Sequence, residues 1–116
     1  MRHHDRNRKL GREKRQRSVL IRNLARSLIL NEGITTTAAK AKALRSFVER
    51  LVTRAKKNTL ASTRTIATRL RSPETDKKLK ELATRYGKRA GGYTRIVRLG
   101  RVGKRVGEMS RIEFIK

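Results

Sequence analysis

His3 and His4 stand side by side near the amino terminus, and no further histidine and no cysteine follows. Met1-Arg2-His3 has the donors for a square-planar copper or nickel site: a free amine, two amides and an imidazole. The plainer reading is that His3 and His4 extend the contact surface of the basic residues around them. A histidine-based catalytic or metal cluster has almost no material. Zero cysteines also exclude disulfides, thiolate zinc sites, iron–sulfur clusters and thiol nucleophiles. The nine carboxylates are scattered, and Glu49, Glu74, Asp76 and Glu81 fall where helix pairing and helix dipoles account for them. No nucleophile–base pair stands out, so neither an enzyme, a cofactor nor a small-molecule substrate is expected.

The chemistry that remains is cationic. Thirty-three Lys and Arg face nine Asp and Glu, a net charge of +24 over 116 residues. A solvated surface is the ordinary fate of a charge run, but a one-signed excess this large repels itself unless a polyanion screens it. Nucleic acid is the expected partner. No apolar run approaches the roughly 20 residues that span a bilayer, and no apolar region follows the basic start as in a secretory signal. No membrane partner is expected, and no single amphipathic cationic face suggests membrane activity.

Two basic zones dominate. Residues 1–17 contain Arg2, Arg6, Arg8, Lys9, Arg12, Lys14, Arg15 and Arg17 against Asp5 and Glu13. Such a segment cannot bury enough surface to offset its ordering entropy, so an extended arm is expected that orders on phosphates. From Arg85 to Gly107 there are eight basic residues and no acidic one. Within this zone lies Arg89-Ala90-Gly91-Gly92-Tyr93-Thr94-Arg95, just after Lys88. Paired glycines expose backbone N–H groups and admit a phosphate closely, although the same residues also suit a turn that feeds a strand. A P-loop would need Gly where Arg98 stands and Ser or Thr where Arg105 stands, and it fails. Gly100-Arg101-Val102-Gly103 lacks the helical flanks of a KH-type clamp.

Two Tyr, two Phe and no Trp speak against a base-stacking sheet surface. The charge lies on arm and loops rather than on one recognition helix, which favours backbone and shape recognition of folded RNA over duplex DNA. A nucleoid-type, DNA-compacting protein is the alternative.

These residues need a scaffold. Leu, Ile, Val and Phe make up about 23% of the chain, enough for a small core. Val19, Leu20, Leu24 and Leu28 predict a helix over about 14–31, stopped by Asn31 and Gly33. Ile34–Thr37 reads as a strand, and Thr37 caps a helix over about 38–57 with Ala41, Leu44, Val48, Leu51, Val52 and Ala55 as its apolar stripe. Asn58 is expected to cap a weaker helix over 59–71 that carries Leu60, Ile66, Ala67 and Leu70. Ser72-Pro73 starts a fourth helix over about 73–86, closed by Gly87. Tyr93–Leu99 and Glu108–Ile115 read as strands, with Ile112 and Phe114 facing inward. The expectation is an α+β domain over 18–116, four helices on one face of a small three-stranded sheet, preceded by the arm.

Together these strings resemble the L17 family of bacterial large-subunit ribosomal proteins. The resemblance runs from Met1-Arg2-His3 through Arg22-Asn23-Leu24, Ser27-Leu28, Ile34-Thr35-Thr36-Thr37, Lys40-Ala41-Lys42 and Leu44-Arg45. It is most specific at Arg89–Ile96 and continues at Met109 and Ile112-Glu113. It implies a non-catalytic constituent of the large subunit, bound to large-subunit ribosomal RNA and neighbouring ribosomal proteins near the peptide exit tunnel. The implied sheet is mixed. The implied RNA contacts are the arm from Arg2 to Arg17, then Arg22, Asn23 and Arg26, Lys40, Lys42 and Arg45, and Arg89 to Arg95. The family commonly has proline after the threonine run, where Ala38-Ala39 stands, and an Asp-x-Ala-Pro stretch where this chain has Lys104–Glu108. The more basic loop should shift local contacts toward RNA. The start at Met1-Arg2-His3 is read as leaving no transit peptide, with the ribosome of a bacterial cytoplasm as the expected location.

Overall fold

Apolar residues repeat at three and four positions in four stretches, and each stretch is a helix in the computed structural model, which describes residues 13–101, 103 and 107–116. The order is α1 (Lys14–Asn31), β1 (Gly33–Thr37), α2 (Ala38–Lys57), α3 (Leu60–Leu70), α4 (Pro73–Arg85), β2 (Thr94–Gly100) and β3 (Met109–Phe114). This is the α+β arrangement expected. The extended arm lies outside the described residues up to Arg12, whereas Lys14, Arg15 and Arg17 belong to α1.

Helix α2 is the centre of the fold. All six residues of its predicted stripe are buried, and they meet Ala25, Leu28 and Ile29 of α1, Ile66 and Leu70 of α3, and Leu79, Leu82 and Ala83 of α4. Thr37 Oγ1 accepts from the backbone N–H of Lys40 at 3.4 Å, which satisfies one of the four donors a helix start leaves open. Ser72 does the same for Thr75, with Pro73 at the first helical position.

The helix ends differ from expectation. The left-handed residue that terminates α1 is Glu32 (φ 62°), between the predicted Asn31 and Gly33. Its carboxylate accepts from Arg85 Nη1 at 2.6 Å and Lys78 Nζ at 3.3 Å, and its carbonyl accepts from Phe114 N at 2.9 Å. Tertiary contacts on both sides of Glu32 therefore offset the strain of its backbone. Asn58 (φ 50°) ends α2 instead of starting α3, and Thr59 Oγ1 caps α3 through Ser62 N at 3.1 Å. Helix α4 ends at Arg85, one residue short of Tyr86. Val19, Leu60 and Ala67 are exposed rather than part of the packed stripes, which are Ala25, Leu28 and Ile29 on α1 and Ser62, Ile66 and Leu70 on α3.

The sheet corrects the resemblance in one respect. Its order is β1-β3-β2 and both pairings are antiparallel, so it is not mixed. A short connection joins β2 to β3, which suits a hairpin. Strand β1 runs against the other edge of β3, so β1 and β2 are parallel in direction but never pair. Ile34, Ile112 and Ile96 align in one inward row, while Arg95, Glu113 and Gly33 align on the open face. Ile112 and Phe114 are buried, as expected.

Candidate nucleic-acid interface

Lys14, Arg17, Ser18, Ile21 and Arg22 recur at helical spacing on one face of α1. Lys42, Ala43, Ser46, Phe47 and Arg50 share one face of α2, and Thr68 and Arg69 stand at the end of α3. These faces border a groove of about 710 Å³ with six cationic side chains and, among the described residues, no carboxylate in its lining. The groove brings together Lys14, Arg17, Arg22 and Lys42, which the sequence nominated, and adds Arg50 and Arg69, which it did not. Arg22 Nε is buried there with no hydrogen-bond partner among the described residues. Burial, then the like charges of Arg71 and Arg26, pulls the Arg22 pKa below the ordinary arginine value.

At the far end of α2 the chain turns from α4 into β2. Lys88 and Arg89 are exposed, the Arg89 N–H donates to the carbonyl of Tyr86 at 3.0 Å, and Lys56 Nζ donates to the Arg89 carbonyl. Gly91 and Gly92 have φ of 102° and 63°, and among the described residues no atom beyond their chain neighbours lies within 4 Å of where a Cβ would stand on either. A side chain would be strained at both positions for backbone reasons alone. The glycines leave the turn's backbone open to an incoming oxygen, with cations on the same short segment.

Residues 20–115 match the family model described as ribosomal protein L17. The chain belongs to the ribosomal protein L17 family. It is 50% identical to the large ribosomal subunit protein bL17 of Sulfurihydrogenibium sp., over 100% of this chain and 98% of that protein. The bL17 of Hydrogenobaculum sp. is 49% identical over the full length of both, and that of Solibacter usitatus is 54% identical over 86% of this chain and 67% of that protein.

The fold of this L17 chain engages several of the nominated residues internally. Arg26 donates from Nε to the Leu70 carbonyl at 2.7 Å and from Nη2 to the Arg71 carbonyl at 3.0 Å, closing the C-terminus of α3. Tyr93 is only 1% exposed, and its ring lies 5.4 Å from that of Tyr86. Its hydroxyl is 3.3 Å from Thr53 Oγ1 and 3.2 Å from Lys56 Nζ. Burial leaves Tyr93 no free ring face on which a base could stack, so it shapes the glycine turn from beneath. Arg95 reaches Glu113 Oε1 at 2.6 and 3.0 Å, and Arg111 reaches Oε2 of the same carboxylate at 3.2 Å. These two arginines, Arg95 first, hold the Glu113 carboxyl below the usual carboxylate range. Arg45 stands 3.8 Å from Glu49.

Lys40, Arg15 and Asn23 lie outside the groove, with Asn23 on the opposite side of α1 from Lys14 and Ile21. The nominated Arg2, His3, His4, Arg6, Arg8, Lys9 and Arg12 lie outside the described residues, as do Lys104 and Arg105 of the β2–β3 loop and the candidate metal donors. Arg50 and Arg69 were missed because neither falls in a basic run or in one of the strings that carry the family resemblance. Only the packing of α3 against α1 and α2 makes them neighbours.

Proposed function

We propose that this chain is a structural constituent of the large ribosomal subunit, without catalytic activity, that binds large-subunit ribosomal RNA through its basic arm and its Gly/Arg turn. Membership of the L17 family and the relatives named as large-subunit proteins support the ribosomal role. The observation that carries RNA binding is the turn at Lys88–Gly92. There an unhindered backbone with two positive-φ glycines lies beside exposed cations. Phosphate contacts there fix register and supply affinity, while RNA shape supplies specificity. Arg2, Arg6, Arg8, Lys9 and Arg12 extend these contacts along the arm, and His3 and His4 add to them. Neutralising RNA phosphates that would otherwise repel one another supports subunit assembly, near the peptide exit tunnel as the family resemblance implies. The other partners on this reading are neighbouring large-subunit proteins, and the location is the cytoplasmic ribosome.

Two measurements test this reading. In a sucrose gradient of native lysate, the protein should sediment with large subunits and stay there after a high-salt wash. Slow sedimentation, or release by a DNA-specific nuclease, would instead indicate a DNA-compacting protein. Deleting residues 2–12, which leaves α1 whole, should lower the salt slope of RNA binding by roughly 0.7–0.9 for each phosphate that the shortened chain no longer neutralises. An unchanged slope removes the arm from the interface.

A further inference from the structure

The arm and the glycine turn do not account for the groove between α1, α2 and α3. Lys42 stands in the second turn of α2 and Lys56, beside the glycine turn, lies near its C-terminal end. Fourteen residues of helix separate them by about 20 Å, and Arg50, the groove cation on α2 nearest to Lys56, still stands about 9 Å from it along the axis. The groove's six cations come from three helices, and four of the six are arginines, whose planar guanidinium matches phosphate oxygens in bidentate fashion. Ile21 and Phe47, both half-buried, add apolar surface to the lining.

Among the described residues, no carboxylate in the lining balances these charges. Where the fold needs a cation it supplies a partner, as at Glu32 with Arg85 and at Glu113 with Arg95. At Arg22 it supplies two further arginines instead, Arg26 and Arg71. A helical body that holds like charges together in this way suits an external polyanion.

We propose that the groove is a second RNA-binding site, which grips a stretch of sugar-phosphate backbone separate from the one at the glycine turn. The protein then bridges two RNA segments, one along residues 42–50 of α2 and one at the C-terminal end of that helix. This inference rests on the RNA-binding reading above and adds the second site to it. RNA is favoured over an acidic protein segment because a phosphodiester backbone brings closely spaced charges without needing an acidic run.

The test uses the full chain and a large-subunit ribosomal RNA transcript, with hydroxyl-radical footprinting and a salt series. One variant carries Lys42→Gln, Arg50→Gln and Arg69→Gln, all exposed side chains, and a second carries only Lys42→Glu. A third carries Lys88→Gln and Arg89→Gln at the turn. Circular dichroism melting serves as the folding control. The triple variant should lose protection of one RNA segment, keep the other, and lower the salt slope by about 2–3. The Lys42→Glu variant should weaken the same footprint, and the turn variant should lose the other one. If the groove and turn variants lose the same nucleotides, or the triple variant leaves footprint and slope unchanged, the second site is overturned. An unchanged slope together with loss of a neighbouring protein from reconstituted subunits also overturns it and assigns the groove to an acidic protein segment. If the wild-type chain binds duplex DNA as well as the transcript, the parent reading fails, and the groove's assignment to RNA fails with it.

Discussion

Arg26 offers a sharp separation of structural from RNA-binding arginines. Its guanidinium donates to two successive carbonyls, Leu70 and Arg71, at 2.7 and 3.0 Å. They lie at the end of an 11-residue helix whose C-cap, Arg71, is a left-handed non-glycine residue with φ of 51°. A hydrogen bond from a charged donor contributes roughly 1.5–3 kcal/mol net when sheltered and less when exposed. The bond to Leu70 is partly buried and that to Arg71 is exposed. Removing the charge also relieves repulsion with Arg22, which is a partial offset. Replacing Arg26 by Met, which keeps the aliphatic stem, is therefore expected to cost about 2 kcal/mol, or about 8 °C in melting temperature for a domain of this size. Arg26→Lys should recover about half, since one ammonium cannot span both carbonyls in the guanidinium's geometry. Urea unfolding followed by circular dichroism in 0.3 M salt measures the loss, and the salt slope of RNA binding should stay at the wild-type value. A stability change under about 0.5 kcal/mol, with a slope reduced by the share of roughly one phosphate, would refute this reasoning and return Arg26 to the RNA interface.

Two further outcomes are expected. The hydrogen bond from Arg85, with help from Lys78, holds the Glu32 carboxyl below its ordinary 4.5, so its stabilisation is present above that value and lost as pH falls through the lowered pKa. Wild type should exceed Glu32→Gln by up to about 1 kcal/mol at pH 7, given that the pairs are partly exposed, and the gap should narrow as pH falls below 4.5 in paired urea titrations. A gap that stays constant on acidification would mean that the side-chain amide lost something other than charge. Burial raises the pKa of Asp76, whose contribution has the opposite sign: stability falls as pH rises through its titration, in both proteins alike. Tyr93→Phe removes a hydroxyl that meets Thr53 and Lys56, at a cost of about 1 kcal/mol in the same assay. RNA affinity should be unaffected, and a weakened complex with unchanged melting would mean that Tyr93 reaches the RNA.

Local rules carried far in this chain. The stripe of α2, the Thr37 and Ser72 caps and the inward pair Ile112 and Phe114 were all legible, because helix and strand periods and capping depend on neighbours within a few residues. Charge balance likewise pointed to a polyanionic partner before any fold was known. Cap assignment failed at Glu32 and Asn58, where distant partners or the start of the next helix decided which residue turned left-handed. What tertiary structure alone decided is the allocation of the cations. In sequence, Arg26, Arg95 and Lys42 are equivalent positive charges. Folding brings carbonyls to Arg26 and a carboxylate to Arg95, buries Tyr93, and gathers Lys42 with Arg22, Arg50 and Arg69 around one groove. Composition sets how much positive charge the chain carries, but which charges stay available to an external phosphate depends on long-range contacts that no local pattern encodes.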